Sequence, residues 1–261
     1  MKINEVRHAF VTGGASGIGL GIVEAMASRG IAVTVADVNE EALDRIALND
    51  RVRTVVFDTR DREGWERARQ QAEEAFGPVD VLVNNAGIAP NGREFADMEP
   101  ESFDRILAIN LVGIANGVFT FAAAMRERKR GHIVNTSSQA GLTASVPGVG
   151  AYAVAKFGVT ALSEGLRQEM APQGVGVTVL CPGYIQTGLA ENTLRVGGEV
   201  RQYADAMPPS TVTPEEVGEM VVDAIERNDA YVVTHADAWP AIERRMVAIR
   251  DACEYRVGVS A

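Results

Sequence analysis

Cysteine is scarce in this chain. Cys181 and Cys253 are the only two, and they lack CxxC spacing, so neither a disulfide framework nor a thiolate metal site is on offer. Histidine is equally thin: His8 and His132 stand alone without metal-ligand spacing, and no metal is expected. Positive charge is short as well. A formal net charge of −10 argues against nucleic acid or an anionic membrane as partner, since both need clustered basic residues. The one basic run, Arg126 to Arg130, is interrupted by Glu127 and reads as a solvated helix end. Neither a signal peptide nor an apolar stretch of spanning length is evident. Low-complexity linkers and internal repeats are missing too. These absences lead us to expect a soluble, cytoplasmic protein built as one domain over residues 1–261.

What is present is an alternation of apolar runs and amphipathic segments. Strands are expected at Ala9–Val11, Ile31–Ala36, Val52–Phe57, Val79–Val83, Ile133–Thr136, Val175–Leu180 and Tyr231–Thr234. Helices are expected at Leu20–Ala27, Glu40–Ala47, Arg62–Phe76, Ser102–Met125, Tyr152–Met170 and Pro214–Glu226. Strands apolar on both faces and spaced by helices indicate a parallel sheet covered on both sides, an α/β doubly wound fold. In such sheets ligands lie beyond the carboxyl ends of the strands. The polar residues there are Thr12 to Gly19, Asp37, Asp58, Asn84-Asn85-Ala86-Gly87, Ser137-Ser138 and Pro182-Gly183.

Thr12-Gly13-Gly14-Ala15-Ser16-Gly17-Ile18-Gly19 joins the first strand directly to the first helix. Glycines let a ligand approach the backbone, and a helix N-terminus presents unpaired amides and a positive dipole end to a phosphate. Asp37 follows Gly19 by 18 residues, at the end of the second strand. A carboxylate there accepts hydrogen bonds from the ribose hydroxyls of a dinucleotide and repels a 2′-phosphate. Its competing role is to cap the helix that begins near Glu40. With the glycine turn in place the ribose role leads, and NAD is favoured over NADP.

Tyr152 and Lys156 lie four apart in a helical segment and so share a face. The chain has three lysines, which makes a chance match of this spacing improbable. A nearby ammonium lowers the pKa of a phenol, fitting it to exchange a proton with an alcohol or ketone while hydride moves. Ser138, at the end of the fifth strand, is placed to hold the same substrate oxygen, unless it only caps a turn.

These motifs, with Asn110, resemble the short-chain dehydrogenases/reductases from about residue 5 to residue 235. The resemblance implies a Rossmann-type domain with a seven-stranded parallel sheet and a Ser138, Tyr152 and Lys156 centre assisted by Asn110. It makes Tyr152 the acid/base, Ser138 the residue that orients the substrate oxygen, and Lys156 a contact of the nicotinamide ribose. Asn110 would hold a water that relays protons from Lys156. Cofactor contacts would come from Gly13, Ser16, Gly17, Ile18, Gly19, Asp37, Asp58, Thr59, Asn85, Ala86, Gly87, Tyr152, Lys156, Pro182, Gly183, Ile185 and Thr187. Asp58 and Thr59 fall at the adenine, Asn85 and Ala86 at the adenosine ribose, and Ile185 and Thr187 at the carboxamide. The family more often spaces this serine 13 residues before the tyrosine, whereas here the gap is 14. We place the extra residue between Leu142 and Pro147, beside the substrate, and take Ser138 rather than Ser137.

Residues 188–210 have weak periodicity and would form a substrate-covering loop. Leu189, Leu194, Val196, Tyr203 and Met207 point to a hydrophobic substrate, while Glu191, Arg195, Glu199 and Arg201 mix both signs. The ending, Tyr231 to His235 followed by an Arg-rich tail over 236–261, is similar to a bacterial subset acting on apolar or aromatic secondary alcohols, including lignin-derived aryl ether alcohols. His235 and Trp239 are read as solvent or interface residues. The family usually forms homotetramers or homodimers. The expected activity is NAD(H)-dependent interconversion of a hydrophobic secondary alcohol and its ketone. An NADPH-dependent 3-oxoacyl reductase and a noncatalytic redox sensor are the alternatives.

Overall fold

The computed structural model describes residues 1–47, 49–144, 146–200 and 210–257. Among these residues seven strands form one parallel sheet: β1 (His8–Thr12), β2 (Ala32–Asp37), β3 (Val52–Val56), β4 (Val81–Asn84), β5 (Gly131–Thr136), β6 (Val175–Cys181) and β7 (Tyr231–Val233). Their order, β3-β2-β1-β4-β5-β6-β7, reverses between β1 and β4. That reversal opens a crevice above the carboxyl ends of both strands. The doubly wound architecture expected from the alternation is present.

Alternation along each strand divides the core between two layers. Ala9 and Val11 of β1 pack with Val33, Val35, Val81 and Val83 under α1 (Gly17–Ala27). Phe10, between them, points the other way, toward Trp65 of α3 (Arg62–Phe76) and Phe121, with ring centroids 6.0 and 5.3 Å away. The short α2 (Glu40–Leu43) follows β2 and ends earlier than its sequence pattern predicts. α4 (Pro100–Leu107) runs through a π turn at Ala108–Val112 into α5 (Gly113–Arg128). α6 (Gly150–Met170) completes that layer, and α8 (Pro214–Arg227) lies beside α1. α8 begins on a capping box in which Thr213 and Glu216 bond each other's backbone N–H groups, with Pro214 in the first turn.

Two expectations need correction. Residues 188–210 are not simply a loop: they carry a two-turn helix, α7 (Leu189–Arg195), too short to leave a periodic signature. The stretch 100–128 is also continuous enough, by length and composition alone, to cross a bilayer. Here it is a core element: Ile106, Ile114, Val118, Phe121 and Met125 are buried, and Asn110 and Asn116 bond neighbouring backbone carbonyls. Finally, α9 (Trp239–Val257) gives helical form to the Arg-rich tail.

α1 and α8 cross at backbone contact. A Cβ on Gly21 would overlap the carbonyl oxygen of Pro214, and one on Gly218 would overlap that of Gly21. Gly21→Ala must therefore push the helices apart. Overpacking of this kind costs about 1–3 kcal/mol, and here the obstacle is rigid backbone. A melting temperature lower by about 5 °C or more is expected, and an unchanged one would contradict the close crossing.

His132 is buried and neutral. Thr178 Oγ1 donates to the Asp229 carbonyl at 2.6 Å, so its oxygen accepts from His132 Nε2–H at 2.8 Å. That leaves Nδ1 without a partner, and burial lowers the pKa from 6.5 to about 3. Below pH 6.5 the unfolded chain takes up a proton that the folded chain refuses. Stability should consequently fall by about 1.4 kcal/mol per pH unit from this residue as acid is added. Burial lowers His8 in the same direction. Urea unfolding at pH 7.5 and 5.0 reads the effect, and His132→Asn should flatten the slope; an identical slope in the variant would refute the assignment.

Candidate active site

The glycine turn sits at the crevice. Ser16 is the N-cap of α1 but makes no capping bond through its side chain, so the first amides of the helix stay available. Gly13 and Gly17 have φ of 61° and 52°, where side chains are strained. They also have no room: a Cβ on Gly13 would lie 2.9 Å from Ala86 Cα, and one on Gly17 2.9 Å from Thr187 Cβ. The turn is laced to β4 by Thr12, whose hydroxyl accepts from the N–H of Asn85 at 3.0 Å and of Ala86 at 3.1 Å. Asn85 in turn donates to the carbonyls of Thr12 at 3.2 Å and Gly13 at 3.3 Å. Its own amide oxygen accepts from Thr136 Oγ1 at 3.3 Å, linking three strand ends.

Asp37 ends β2 beside this turn. Its carboxylate accepts from the N–H of Ala15 at 3.2 Å and of Asn39 at 3.0 Å. The cap of α2 is Asn39, which accepts from the N–H of Ala42 at 3.2 Å. The capping role weighed for Asp37 therefore belongs to its neighbour. Asp58 is gripped by Arg60, whose Nε lies 3.0 and 2.9 Å from the two carboxylate oxygens. Thr59 offers its carbonyl to Trp65 Nε1 at 2.8 Å and Asn116 Nδ2 at 3.1 Å.

The crevice continues as a cleft of about 750 Å³ that passes Gly13, Asp37, Asp58, Asn85, Ser138, Tyr152, Lys156, Pro182, Ile185 and Thr187. The structure thus brings residues from all six anticipated strand ends around one space. The lining suits a dinucleotide: the open amides of α1, the Asp37 carboxylate and the Ser138, Tyr152 and Lys156 side chains share this one space.

At the deep end α6 presents Tyr152 and Lys156 side by side. Ser138 stands near enough to the Tyr152 hydroxyl to draw its pKa down, and Lys156 Nζ lies 5.5 Å from the centre of the Tyr152 ring. Lys156 is buried and donates to the Thr136 carbonyl at 2.8 Å. Ser137 points elsewhere: its hydroxyl donates to the Lys156 carbonyl at 2.8 Å and meets Thr160 Oγ1 at 2.9 Å. Both serines line the cleft, but Ser138 is the less buried of the two, and its oxygen accepts from the N–H of Ala140 at 3.1 Å.

The expected depression of the Tyr152 pKa is not found in the protein alone. Loss of water around the hydroxyl pushes the half-buried phenol up to about 12, against a smaller opposing effect of Ser138. Burial also brings Lys156 down to about 8, which still leaves it mostly protonated at neutral pH.

Asn110 lies in the π turn. Its Oδ1 accepts from the Ile88 N–H at 2.8 Å and its Nδ2 donates to the Ile88 carbonyl at 3.1 Å. Gly87 is fitted against it, since a Cβ there would lie 2.7 Å from Asn110 Oδ1. The asparagine side chain is thus engaged at both ends in holding the loop after β4. Gly183 is fixed similarly: its N–H donates to Thr234 Oγ1 at 3.0 Å, and His235 Nδ1 meets that hydroxyl at 2.7 Å.

Ile88, Ala89, Pro90, Val149, Tyr184 and Ala238 add apolar lining to the same cleft. Thr143, Ala144 and Val146, from the loop assigned the extra residue, also line it. Leu189 and Val196 face the same space, but Leu194 is 60% exposed and does not line it. Tyr203, Met207 and Arg201 lie outside the described residues. Trp239 is exposed at 59%.

Sequence reasoning missed the residues that seat α7. Thr193 is buried, and its hydroxyl accepts from the Ala89 N–H at 2.8 Å while donating to the Leu189 carbonyl at 2.7 Å. Asn192 donates to Ser16 Oγ at 3.0 Å, and Arg195 pairs with Glu41 at 3.0 Å. Nothing in a stretch of mixed polarity distinguishes these three.

Comparison with known proteins agrees with this geometry. The short chain dehydrogenase family model matches residues 7–195. C alpha-dehydrogenase of Sphingobium sp. (strain NBRC 103272 / SYK-6) is 32% identical over 96% of this chain and 88% of its own. The solved short chain dehydrogenase/reductase from Burkholderia phymatum in complex with NAD superposes with a TM-score of 0.87 at 29% identity, covering 96% of each chain. LigO, in its apo form from Sphingobium sp. strain SYK-6, gives 0.82 at 29% identity, over 98% of this chain and 92% of its own. With the sheet order, the glycine turn and the matched residues in agreement, this chain belongs to the short-chain dehydrogenase/reductase family of nicotinamide-dependent oxidoreductases.

Proposed function

We propose that this protein interconverts a hydrophobic secondary alcohol and its ketone, using NAD(H). The observation that carries this reading is Lys156 at the Tyr152 ring with Ser138 beside the phenol, in one cleft with the glycine turn and Asp37. Bound nicotinamide would supply the hydride acceptor or donor. In the oxidation direction the Tyr152 oxygen takes the hydroxyl proton of the alcohol as its C–H hydrogen leaves as hydride; in reduction Tyr152 returns the proton to the carbonyl oxygen. Ser138 holds that oxygen in place. Lys156, already turned toward the Thr136 carbonyl, contacts the nicotinamide ribose and supplies positive charge beside the phenol. Because the Asn110 side chain is engaged by Ile88, a water relay there would use the asparagine's main chain.

Asp37 supports NAD over NADP, since its carboxylate would face a 2′-phosphate with like charge. The apolar lining residues Ile88, Ala89, Val149, Leu189, Val196 and Ala238 support an uncharged substrate. The apolar lining, with the resemblance of the ending Tyr231 to His235 to dehydrogenases of aromatic secondary alcohols, makes aryl secondary alcohols the first class to test. A panel of aliphatic and aryl secondary alcohols with NAD⁺, followed at the nicotinamide absorbance, should give turnover for apolar members. Turnover confined to 3-oxoacyl thioesters with NADPH would overturn the assignment.

A further inference from the structure

α7 does more than cover substrate. Asn192 and Arg195 stand three apart, on one face of the helix. Thr193 pins the helix from its other side to the Ala89 N–H. The exposed face is thereby laid across the glycine turn: Thr187 packs on Gly17, Asn192 reaches the Ser16 hydroxyl, and Arg195 reaches Glu41 just beyond Asp37. Both Asn192 and Arg195 line the cleft.

The charge balance of the cleft gives Arg195 its importance. Among the described lining residues the cations are Arg60, Lys156 and Arg195. Arg60 is spent on Asp58, and Lys156 is buried at the deep end. The lining also carries Asp37, Asp58 and Asp237, in a chain of net charge −10. A dinucleotide diphosphate brings two more negative charges, and the glycine turn has only helix amides and its dipole to meet them. Arg195 and Glu41 have side chains 50% and 72% exposed, and ion pairs that exposed are worth little. A diphosphate offers the same guanidinium two parallel acceptors in a more enclosed setting.

We propose that Asn192 and Arg195 are diphosphate-binding residues: Arg195 exchanges Glu41, and Asn192 exchanges Ser16, for diphosphate oxygens, clamping the cofactor from the side opposite α1. This assignment rests on the dinucleotide reading of the cleft. It adds two ligands that neither the glycine motif nor Asp37 supplies, and it makes the substrate-covering helix a sensor of bound cofactor.

Equilibrium binding of NAD⁺, ADP and adenosine to the full-length protein tests it without recourse to turnover. Arg195→Ala should weaken NAD⁺ and ADP by about tenfold or more while leaving adenosine, which lacks the diphosphate, within about twofold. Asn192→Ala should weaken the same two ligands a few-fold. Arg195→Lys should restore part of the loss, since lysine keeps the charge but not the fork. Glu41→Gln should bind NAD⁺ as tightly as wild type or more tightly, because it releases the guanidinium. Wild-type affinity in both Arg195→Ala and Asn192→Ala would overturn the proposal, as would equal losses for adenosine and ADP. A Glu41→Gln loss matching that of Arg195→Ala would also overturn it, by showing that the ion pair itself matters. A wild-type protein that binds neither NAD⁺ nor NADP⁺ would instead remove the cofactor reading on which the proposal stands.

Discussion

Replacing Tyr152 with Phe should lower turnover by about a thousandfold or more and leave NAD⁺ binding within a few-fold of wild type. The variant loses one oxygen. Ser138 loses the hydroxyl beside it, and the substrate oxygen loses its proposed proton acceptor or donor. General acid–base groups contribute about 10²–10⁴-fold, and no other described cleft residue stands ready to replace this one. Ser138 is a hydroxyl without a base of its own, and Lys156 donates to the Thr136 carbonyl. Binding should survive because the groups proposed to hold most of the dinucleotide lie elsewhere, at the glycine turn, Asp37 and Asn85. Stopped-flow turnover and cofactor titration on the same preparation separate the two effects. Substantial turnover by the variant would mean that the proton passes through another residue.

Asp37 should carry the second large effect. Wild-type protein is expected to favour NAD(H) over NADP(H) by about a hundredfold or more in kcat/KM, and Asp37→Ser should erase most of that preference. The carboxylate is held by the N–H groups of Ala15 and Asn39, one on the glycine turn and one beyond β2, so it cannot swing away from a 2′-phosphate without breaking both bonds. Removing it costs α2 no cap, since Asn39 performs that task. The loss should appear mainly as improved use of the phosphorylated cofactor. A wild-type enzyme that strongly prefers NADPH would show that the ribose is read by other groups, with Arg60 and Arg195 the first to examine.

Much of this site is written in short, local patterns. Gly13, Gly17 and Gly19 announce a phosphate turn because they bracket a strand-to-helix junction, and the structure adds the steric reason. Tyr152 and Lys156 declare themselves by helical spacing, and Ser138 by its place at a strand end. The sheet was legible because its strands are apolar on both faces and regularly interleaved with helices. What escaped is whatever depends on distant chain segments meeting. Thr193 at Ala89, Asn192 at Ser16 and Thr234 at Gly183 are polar contacts between residues 51 to 176 positions apart, and no periodicity encodes them. α7 escaped because two turns are too few to establish a period. The raised Tyr152 pKa escaped for a related reason: the enclosure that causes it belongs to the assembled cleft.

The central claim is that Tyr152 faces the reacting carbon of nicotinamide, with Lys156 on the adjoining ribose. A crystal structure of the wild-type protein soaked with NAD⁺ measures this directly. The prediction is nicotinamide seated between Pro182-Gly183 and Tyr152, the tyrosine hydroxyl and Ser138 opening on the same face of the ring, and Lys156 Nζ within hydrogen-bond distance of the ribose hydroxyls. Nicotinamide lodged away from Tyr152, with Lys156 still bound only to the Thr136 carbonyl, would contradict it.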